Sequence, residues 1–296
     1  MGIRTLYDVA APAKLNAFLH VVGRRTDGYH LLQSVFVLID WFDSLHFERR
    51  ADRKIVRHDL GSELPVDDLC LRAARALQTA SDTPSGVDIS IDKRIPSGAG
   101  MGGGSSDAAS TLLALNRLWD LRWPRERLAD LALGLGADVP FFLGGSHAVV
   151  EGIGERLTPL RLPPAWLAVV KPPASLATAA IFASPHLGRS AEAAIIEGFS
   201  GGGLTGGSGP LGDVWAYGRN DLQAAAVAES AEVAKAASTL EQVYGNSRMT
   251  GSGSAVFAFA GNGERPVAEL PRGLEAGWTG RMCRSLDEHP LSGWAV

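Results

Sequence analysis

The sequence predicts an α+β protein built in two halves, and three of its features indicate this class. Alternating or β-branched apolar runs, separated by turn residues, fill the first 60 residues. A glycine-rich loop at 94–110 leads into residues with helical spacing, and a proline-rich segment at 160–173 then begins a new strand. We therefore predict an N-terminal domain over residues 1–160 and a C-terminal domain over residues 161–296.

In the first half, the apolar runs predict a mostly antiparallel sheet. Its strands are expected at 13–22, 31–39, 44–49, 54–58, 86–95, 147–152 and 155–160, the last two as a hairpin. Apolar residues at helical spacing predict helices at 67–80, 105–119 and 125–136. Serine is a strong N-cap, so Ser105 or Ser106 is the expected start of the second helix.

The second half is predicted to hold a smaller mixture of strands and helices. Strands are expected within 160–173 and at 254–260 and 280–286, and helices at 175–182 and 221–243. A low-complexity stretch at 198–212, rich in glycine, lies between the helices. We interpret this stretch as a surface loop, and its function cannot be inferred from its residues.

The composition is that of a globular enzyme rather than of a nucleic-acid-binding or membrane protein. The 28 basic and 32 acidic residues give a net charge of −4, and no block of lysine or arginine forms a basic stripe. Cys70 and Cys283 are the two cysteines, too few for a disulfide framework or a cysteine metal cluster. The N-terminal residues have no uninterrupted apolar stretch. We expect a cytoplasmic protein without nucleic-acid or membrane partners.

The segment RIPSGAGMGGGSSDAAS at 94–110 is the strongest functional signal. Its Gly98, Gly100 and Gly103 satisfy the dinucleotide-binding pattern, but a second helix follows where that fold requires a parallel strand. The loop lacks the lysine of a Walker A motif, and the later motifs of protein kinases are absent. What remains is an anion nest against a helix N-terminus, suited to a polyphosphate, or alternatively a flexible loop with serine caps.

Two charged residues in apolar surroundings are candidates for catalysis. Lys14 lies within an apolar strand, where it either needs a partner or reaches solvent at the strand edge. Asp138 follows glycines that end a helix and precedes Pro140, so it is either a functional carboxylate or the cap of a short helix. The residues alone leave both alternatives open.

Three segments resemble the motifs of the GHMP kinases. PSGAGMGGGSSDAA at 96–109 resembles their central phosphate loop, and APAKLN at 11–16 and TGSGSAVFAF at 250–259 resemble the other two motifs, in family order. GRRTDGYHLLQSVF at 23–36 and GADVPFFLGG at 136–145 are similar to members that phosphorylate a cytidine diphosphate sugar alcohol in isoprenoid biosynthesis. The resemblance implies the two-domain GHMP kinase fold: a ribosomal-protein-S5-domain-2-like N-terminal domain and a ferredoxin-like C-terminal domain.

The resemblance also implies a catalytic pair. Lys14 and Asp138 occupy the positions that form this pair in the family, with Asp138 as the base for the acceptor hydroxyl. Lys14 would lower the pKa of that hydroxyl and offset charge on the transferring phosphoryl group. Asp107 is expected to face outward, because a carboxylate turned toward the phosphates would oppose their binding.

By the same resemblance, ATP and the acceptor each have a set of contacts. The residues implied for ATP are the loop and an adenine side: Pro96, Ser97, Gly98, Ala99, Gly100, Met101, Gly102, Gly103, Gly104, Ser105, Ser106, Lys93, Asp68 and Leu69. The residues implied for the acceptor are Asn16, Tyr29, His30, Thr178 and Phe182, in which Tyr29 and Phe182 would sandwich cytosine. Asp68 departs from the asparagine common in relatives at this position.

Other expectations concern the metal, the assembly and the alternative functions. Mg²⁺ is expected with the triphosphate, with Ser106 or Ser105 as its possible ligand, but no partner glutamate is identifiable. A monomer or weak homodimer is expected. The alternatives are another small-molecule GHMP kinase, of the mevalonate or homoserine type, and a nucleotide-binding protein without catalytic activity.

Overall fold

The computed structural model describes residues 2–61, 63–189 and 214–295. These residues form two sheets, each covered by helices, and the two sheets share part of their core. The predicted glycine-rich loop at 200–212 lies outside the described residues. None of the helices described is long and apolar enough to span a membrane.

The first sheet holds six strands in the order β3-β4-β2-β5-β6, with β1 paired along β2. They are β1 (Thr5–Arg24), β2 (His30–Arg50), β3 (Ile55–Asp59), β4 (Gly86–Asp92), β5 (His147–Gly152) and β6 (Arg156–Leu160). Every pair is antiparallel except β3 with β4, so the prediction of a mostly antiparallel sheet is confirmed.

The predicted strands at 31–39 and 44–49 are wrong as separate elements, because both belong to the single strand β2. The register of β1 against β2 shifts between Pro12 and Ala13, so that the two residues pair with Phe42 and Ile39. This irregularity lies where the strand carries Asp40 and Asp43, and the strand continues through it within the sheet. Asp43, in the middle, is buried and accepts backbone hydrogen bonds from Arg94 and Ile95.

Four helices pack against the first sheet. They are α1 (Leu69–Ser81), α2 (Gly103–Leu118), α3 (Arg125–Leu135) and α4 (Val139–Gly144). Helix α2 is almost entirely buried, and its leucines and alanines pack between the sheet and the other helices. The prediction that this helix begins at Ser105 or Ser106 is wrong, because Gly102 is its cap, with a left-handed φ of 70°. Glycine adopts that conformation without strain, and the Ser106 amide already bonds to the Gly102 carbonyl oxygen.

The second sheet is four-stranded and antiparallel, in the order β10-β7-β9-β8. Its strands are β7 (Trp166–Lys171), β8 (Arg248–Met249), β9 (Val256–Phe259) and β10 (Thr279–Arg284), and its helices are α5 (Thr178–Ala183), α6 (Gln223–Glu229) and α7 (Ala231–Tyr244). The single helix predicted over 221–243 is two helices, because Ser230 is extended, with φ −151° and ψ 115°. A short 3₁₀ helix, Ser292–Trp294, ends the chain's described part.

The two sheets meet through the first two strands of the chain. Ala13, Leu15 and Ile39 of the first sheet share a buried cluster with Leu167 and Phe257 of the second. An isolated bridge also joins Leu19 to Asn220. The strands of the two sheets lie on either side of residue 160, and the domain division at that residue stays a prediction because this core is shared. The predicted phosphate loop, between β4 and α2, lies at this junction.

Candidate active site

The phosphate loop is held open by backbone contacts with the second half of the chain. Gly98, Gly100 and Gly102 have φ values of 63°, 73° and 70°, a conformation that side chains other than glycine rarely adopt. The Ser254 amide donates to the Gly98 carbonyl oxygen at 3.0 Å, and the Ala255 amide donates to Ala99 at 3.2 Å. The loop is therefore shaped by residues about 150 positions away along the chain.

The loop ends at the N-terminus of α2, where no side chain caps the helix. The first amides of a helix have no intrahelical acceptor and carry the positive end of the helix dipole. Residues 102, 103 and 104 are glycines, so these positions carry no side chains of their own. This arrangement is suited to a polyphosphate, as the sequence predicts.

Lys14 is buried next to the loop, on strand β1. Its Nζ lies 3.7 Å from Asp138 Oδ2, donates a hydrogen bond to Asn16 Oδ1 at 2.7 Å, and lies 4.5 Å from the centre of the Phe36 ring. Burial lowers the pKa of Lys14 below its usual value, and the charge of Asp138 opposes this effect. The lysine therefore has a partner, and the alternative in which it reaches solvent is wrong.

Asp138 stands at the N-cap position of α4 but makes no capping hydrogen bond with its side chain. Its side chain is 33% exposed and faces a cavity of about 300 Å³ that Lys14 also lines. The alternative in which Asp138 serves as a helix cap is therefore wrong for its side chain. Its carboxylate pairs with Lys14 and faces the space in which a bound molecule would lie.

The cavity joins residues from both halves of the chain. Its wall includes Gly100 and Gly102 of the phosphate loop, the tip of the β5–β6 hairpin, and side chains from β1, β2 and α5. Of the residues predicted for the acceptor, Asn16, Thr178 and Phe182 line it. The Thr178 hydroxyl lies 2.8 Å from the Ser252 hydroxyl, in the segment that resembles the third family motif.

The predicted aromatic sandwich has a different arrangement in the structure. The His30 ring stacks on the Phe182 ring, with 5.1 Å between centres and 20° between planes. The Tyr29 side chain is 62% exposed and lies outside the cavity wall. The structure therefore brings His30 and Phe182 together directly.

On the opposite side of the loop, Lys93 lies between two buried carboxylates. Its Nζ donates to Asp107 Oδ2 at 2.6 Å and also to Asp43 Oδ2. The expectation that Asp107 faces outward is wrong, because its side chain is buried. The ammonium of Lys93 compensates the buried charge, as the burial of an acidic side chain requires. Asp43 was not among the predicted site residues, although an aspartate in the apolar run at 35–47 was a usable signal.

The remaining residues predicted for the adenine side surround the start of α1. Asp68 caps α1 by accepting from the Leu71 amide at 3.0 Å, and it lies 3.1 Å from Arg57 Nη1. Leu69 packs close to Gly104, where a Cβ atom would be 3.7 Å from Leu69 Cδ1. The Asp68 carboxylate therefore serves as a helix cap and as the partner of Arg57. Its contact with adenine stays a prediction.

The predicted magnesium ligand has one observation in its favour. Ser106 Oγ, in the first turn of α2, is buried and has no hydrogen-bond partner. Asp107 Oδ1 is also buried without a partner. Within the described residues, no group of three or more His, Cys, Asp or Glu is arranged to hold a metal ion. A metal here would take most of its ligands from a bound molecule.

Comparison with known proteins defines the class. Residues 68–146, which include the phosphate loop, match the family described as GHMP kinases N terminal domain. A homoserine kinase from Cytophaga hutchinsonii has the same fold, with a TM-score of 0.69 and 14% identity over 97% of this chain and 96% of that one. The match and the shared fold together define the GHMP kinase fold for this chain, so the predicted α+β fold is confirmed.

Closer relatives identify the branch of this class. A 4-diphosphocytidyl-2-C-methyl-D-erythritol kinase from Methylibium petroleiphilum is 61% identical over the full length of both chains. A crystal structure of 4-(cytidine 5'-diphospho)-2C-methyl-D-erythritol kinase matches with a TM-score of 0.73 and 32% identity, over 93% of this chain and 98% of that one. The chain belongs to the 4-diphosphocytidyl-2-C-methyl-D-erythritol kinase family.

Proposed function

We propose that this chain transfers the γ-phosphate of ATP to the 2-hydroxyl of 4-diphosphocytidyl-2-C-methyl-D-erythritol. The products are ADP and the 2-phosphate, in the non-mevalonate route to isoprenoid precursors. The observation that carries this proposal is the Lys14–Asp138 pair, which lines one cavity together with Gly100 and Gly102 of the phosphate loop. The family relationship supplies the identity of the acceptor.

ATP binds with its phosphates on residues 96–106. Backbone amides of the glycine-rich loop and the uncapped start of α2 are the donors for the phosphate oxygens. Lys93, Asp68 and Leu69 lie on the adenine side, beyond the Asp43 and Asp107 carboxylates. The cavity with Asp138 remains on the other side of Gly102, where the acceptor binds.

The transfer step uses Asp138 and Lys14 as a unit. The acceptor oxygen attacks the γ-phosphorus, its proton passes to the Asp138 carboxylate, and the bond from the γ-phosphorus to the bridging β-γ oxygen breaks as ADP leaves. A tertiary hydroxyl is hindered and weakly acidic, so a base beside a cation is the arrangement that this reaction needs. The Lys14 ammonium offsets the charge that develops on the oxygens in transfer.

Mg²⁺ accompanies the triphosphate, as in phosphoryl transfer generally. The unpartnered hydroxyl of Ser106 is the candidate protein ligand, with Ser105 in the same turn as the alternative. The ion supplies positive charge that offsets the β- and γ-phosphates when it is bound.

The acceptor binds along the wall that Asn16, Thr178 and Phe182 form. Cytosine stacks on Phe182, and His30 reads its polar edge, with Tyr29 covering the base from the rim. His30 itself stacks on Phe182 in the structure, so binding of the base on Phe182 displaces this ring contact.

We also propose that the protein works in the cytoplasm, as a monomer or weak homodimer. Its two cysteines are both free and buried, which is compatible with a reducing compartment.

Asp138→Asn tests the proposal, because it keeps the side-chain shape and removes the proton acceptor. We expect kcat to fall by about 10²–10⁴ while KM for both substrates stays similar. The measurement is ADP release with 4-diphosphocytidyl-2-C-methyl-D-erythritol, mevalonate and homoserine as acceptors, and the wild type should use the first by far the best. A near-normal kcat in the variant, with chemistry rate-limiting, contradicts the role of Asp138. Preference for mevalonate or homoserine contradicts the acceptor.

A further inference from the structure

We propose that Thr250 is a positioning residue for phosphoryl transfer. Its buried hydroxyl joins the phosphate loop to Asn16 and, through Asn16, holds the Lys14 ammonium in place. The inference rests on the proposed function, in which Lys14 acts in the transfer step. Thr250 does not line the cavity, so it acts only through these neighbours.

The Thr250 hydroxyl stands at the meeting point of the three segments that resemble family motifs. Its Oγ1 accepts a hydrogen bond from the backbone amide of Asn16 at 3.0 Å. It lies 3.2 Å from Asn16 Oδ1 and 3.4 Å from the Gly100 carbonyl oxygen. A hydroxyl has one proton to donate, so the two oxygens share it. One side chain therefore connects the first strand, the phosphate loop and the segment that follows β8.

Asn16 passes this contact to Lys14. Its Oδ1 accepts from Lys14 Nζ at 2.7 Å, from the Gly251 amide at 2.9 Å and from Thr250. Its Nδ2 donates to Ser34 Oγ at 2.9 Å. These donors fix the orientation of the amide, because a flipped Asn16 would turn its NH₂ group toward the Gly251 amide and the ammonium. Thr250, Gly251 and Ser34 thus orient the carboxamide so that its oxygen points toward Lys14.

The Lys14 ammonium lies between two oxygen atoms that hold it in different ways, a neutral carboxamide oxygen and a charged carboxylate oxygen. The Asn16 oxygen is in hydrogen-bond contact, whereas the Asp138 carboxylate lies 3.7 Å away. If Asn16 were loosened, the ammonium would move toward the charged carboxylate, because only the charge attraction would remain. That movement would close the gap in which the acceptor oxygen must fit.

The test compares Thr250→Val, which keeps the shape and removes the hydroxyl, with Thr250→Ser, which keeps the hydroxyl. Thr111→Val is the matched control, because Thr111 is equally buried and its hydroxyl contacts Cys70 in α1, away from the cavity. Each variant is combined with Lys14→Met, and single-turnover rates, KM for both substrates, ATP affinity and unfolding temperature are measured.

We expect Thr250→Val to lower the transfer rate about tenfold, with ATP affinity changed less than about threefold. Thr250→Ser should keep most of the rate, and Thr111→Val should leave it unchanged. In the Lys14→Met background, Thr250→Val should cost little more, because no ammonium remains to be positioned.

Three outcomes overturn the inference. The first is the same tenfold loss with and without Lys14, which makes the role of Thr250 structural and leaves the proposed function standing. The second is a Thr250→Ser variant as slow as Thr250→Val. The third is a Lys14→Met single variant that keeps its full rate, because the assignment of Lys14 under the proposed function then fails together with this inference.

Discussion

Two lysines border the phosphate loop, Lys14 buried and Lys93 partly buried, and they have opposite environments. Lys93 donates to both Asp43 and Asp107, and it joins the end of β4 to the first turn of α2. Lys14 has one carboxylate within reach, at 3.7 Å, and that carboxylate is one-third exposed to the cavity. Each lysine borders a neighbouring glycine: a Cβ atom at 102 would be 3.2 Å from Lys14 Cγ, and one at 103 would be 3.4 Å from Lys93 Nζ.

The pKa values of the two lysines are shifted in opposite directions by these environments. Burial lowers the pKa of Lys93, but the charges of Asp107 and Asp43 outweigh burial and raise it overall. Burial also lowers the pKa of Lys14, and there the single carboxylate does not compensate. A lysine with fully paired charge stabilises the architecture of the loop. A lysine with incompletely paired charge remains available to a substrate.

The largest expected effect is a loss of activity on substitution of Lys14, in contrast to a loss of stability on substitution of Lys93. Lys14→Met should lower kcat by about 10²–10⁴ and leave the free energy of unfolding unchanged or higher, because it removes a poorly compensated buried charge. The measurements are steady-state kinetics and urea unfolding of the same preparation. An active Lys14→Met enzyme would break the comparison.

Lys93→Met is the matched substitution on the other side of the loop. It leaves the Asp43 and Asp107 carboxylates buried without a cation, so we expect a loss of about 3–5 kcal/mol in the free energy of unfolding. Urea unfolding of this variant should show a midpoint well below that of Lys14→Met. Equal stability of the two variants would mean that Lys93 is not the structural partner described above.

A smaller effect concerns Asp107 and pH. Burial raises the pKa of Asp107 to about 7; the Lys93 charge opposes this effect, and the Asp43 carboxylate adds to it. Between its ordinary value of 3.8 and about 7, the folded protein therefore binds more protons at this site than the unfolded chain. This contribution to stability is complete below the ordinary value and is lost as pH rises toward 7. A tenfold difference in proton affinity between the folded and unfolded states corresponds to about 1.4 kcal/mol.

Asp107→Asn removes this titration and serves as the comparison. The difference in unfolding free energy between wild type and variant should change in favour of the variant as pH rises from about 4 to about 7. Urea unfolding at several pH values in this range measures it. A difference that is independent of pH would show that Asp107 stays ionised in the folded protein.

The smallest expected effect uses the two glycines that border the lysines. Gly102→Ala requires a left-handed backbone and places a Cβ 3.0 Å from Phe142 and 3.2 Å from Lys14, so we expect a loss of about tenfold in kcat. Gly103→Ala lies at the first position of α2 with no left-handed φ, and its Cβ would be 3.2 Å from Ile95 Cγ2 and 3.4 Å from Lys93 Nζ. Shifts of a few tenths of an ångström relieve these contacts, so its loss should be about threefold or less. The reverse order of the two losses would place the reacting groups on the Lys93 side.

The sequence alone was sufficient for the fold class, for most strands and helices, and for the position of a glycine-rich loop before α2. These features depend on local spacing: alternation for strands, helical periodicity for α2, and a density of glycine that an ordinary connection does not need. The pairing of Lys14 with Asp138 was a prediction from family resemblance, and their 124 positions of separation along the chain hide it from any local pattern.

Only the tertiary structure decided which charged side chains are buried with a partner and which face the cavity. Asp107 was expected at the surface and is buried in helix α2, where its carboxylate accepts a hydrogen bond from Lys93, just after the end of β4. Asp138 looked equally like a helix cap until the structure showed its side chain free of the helix. The state of a charge depends on the partners and the water around it, and both come from distant parts of the chain. Local sequence determined the elements, and long-range packing determined the chemistry of the side chains between them.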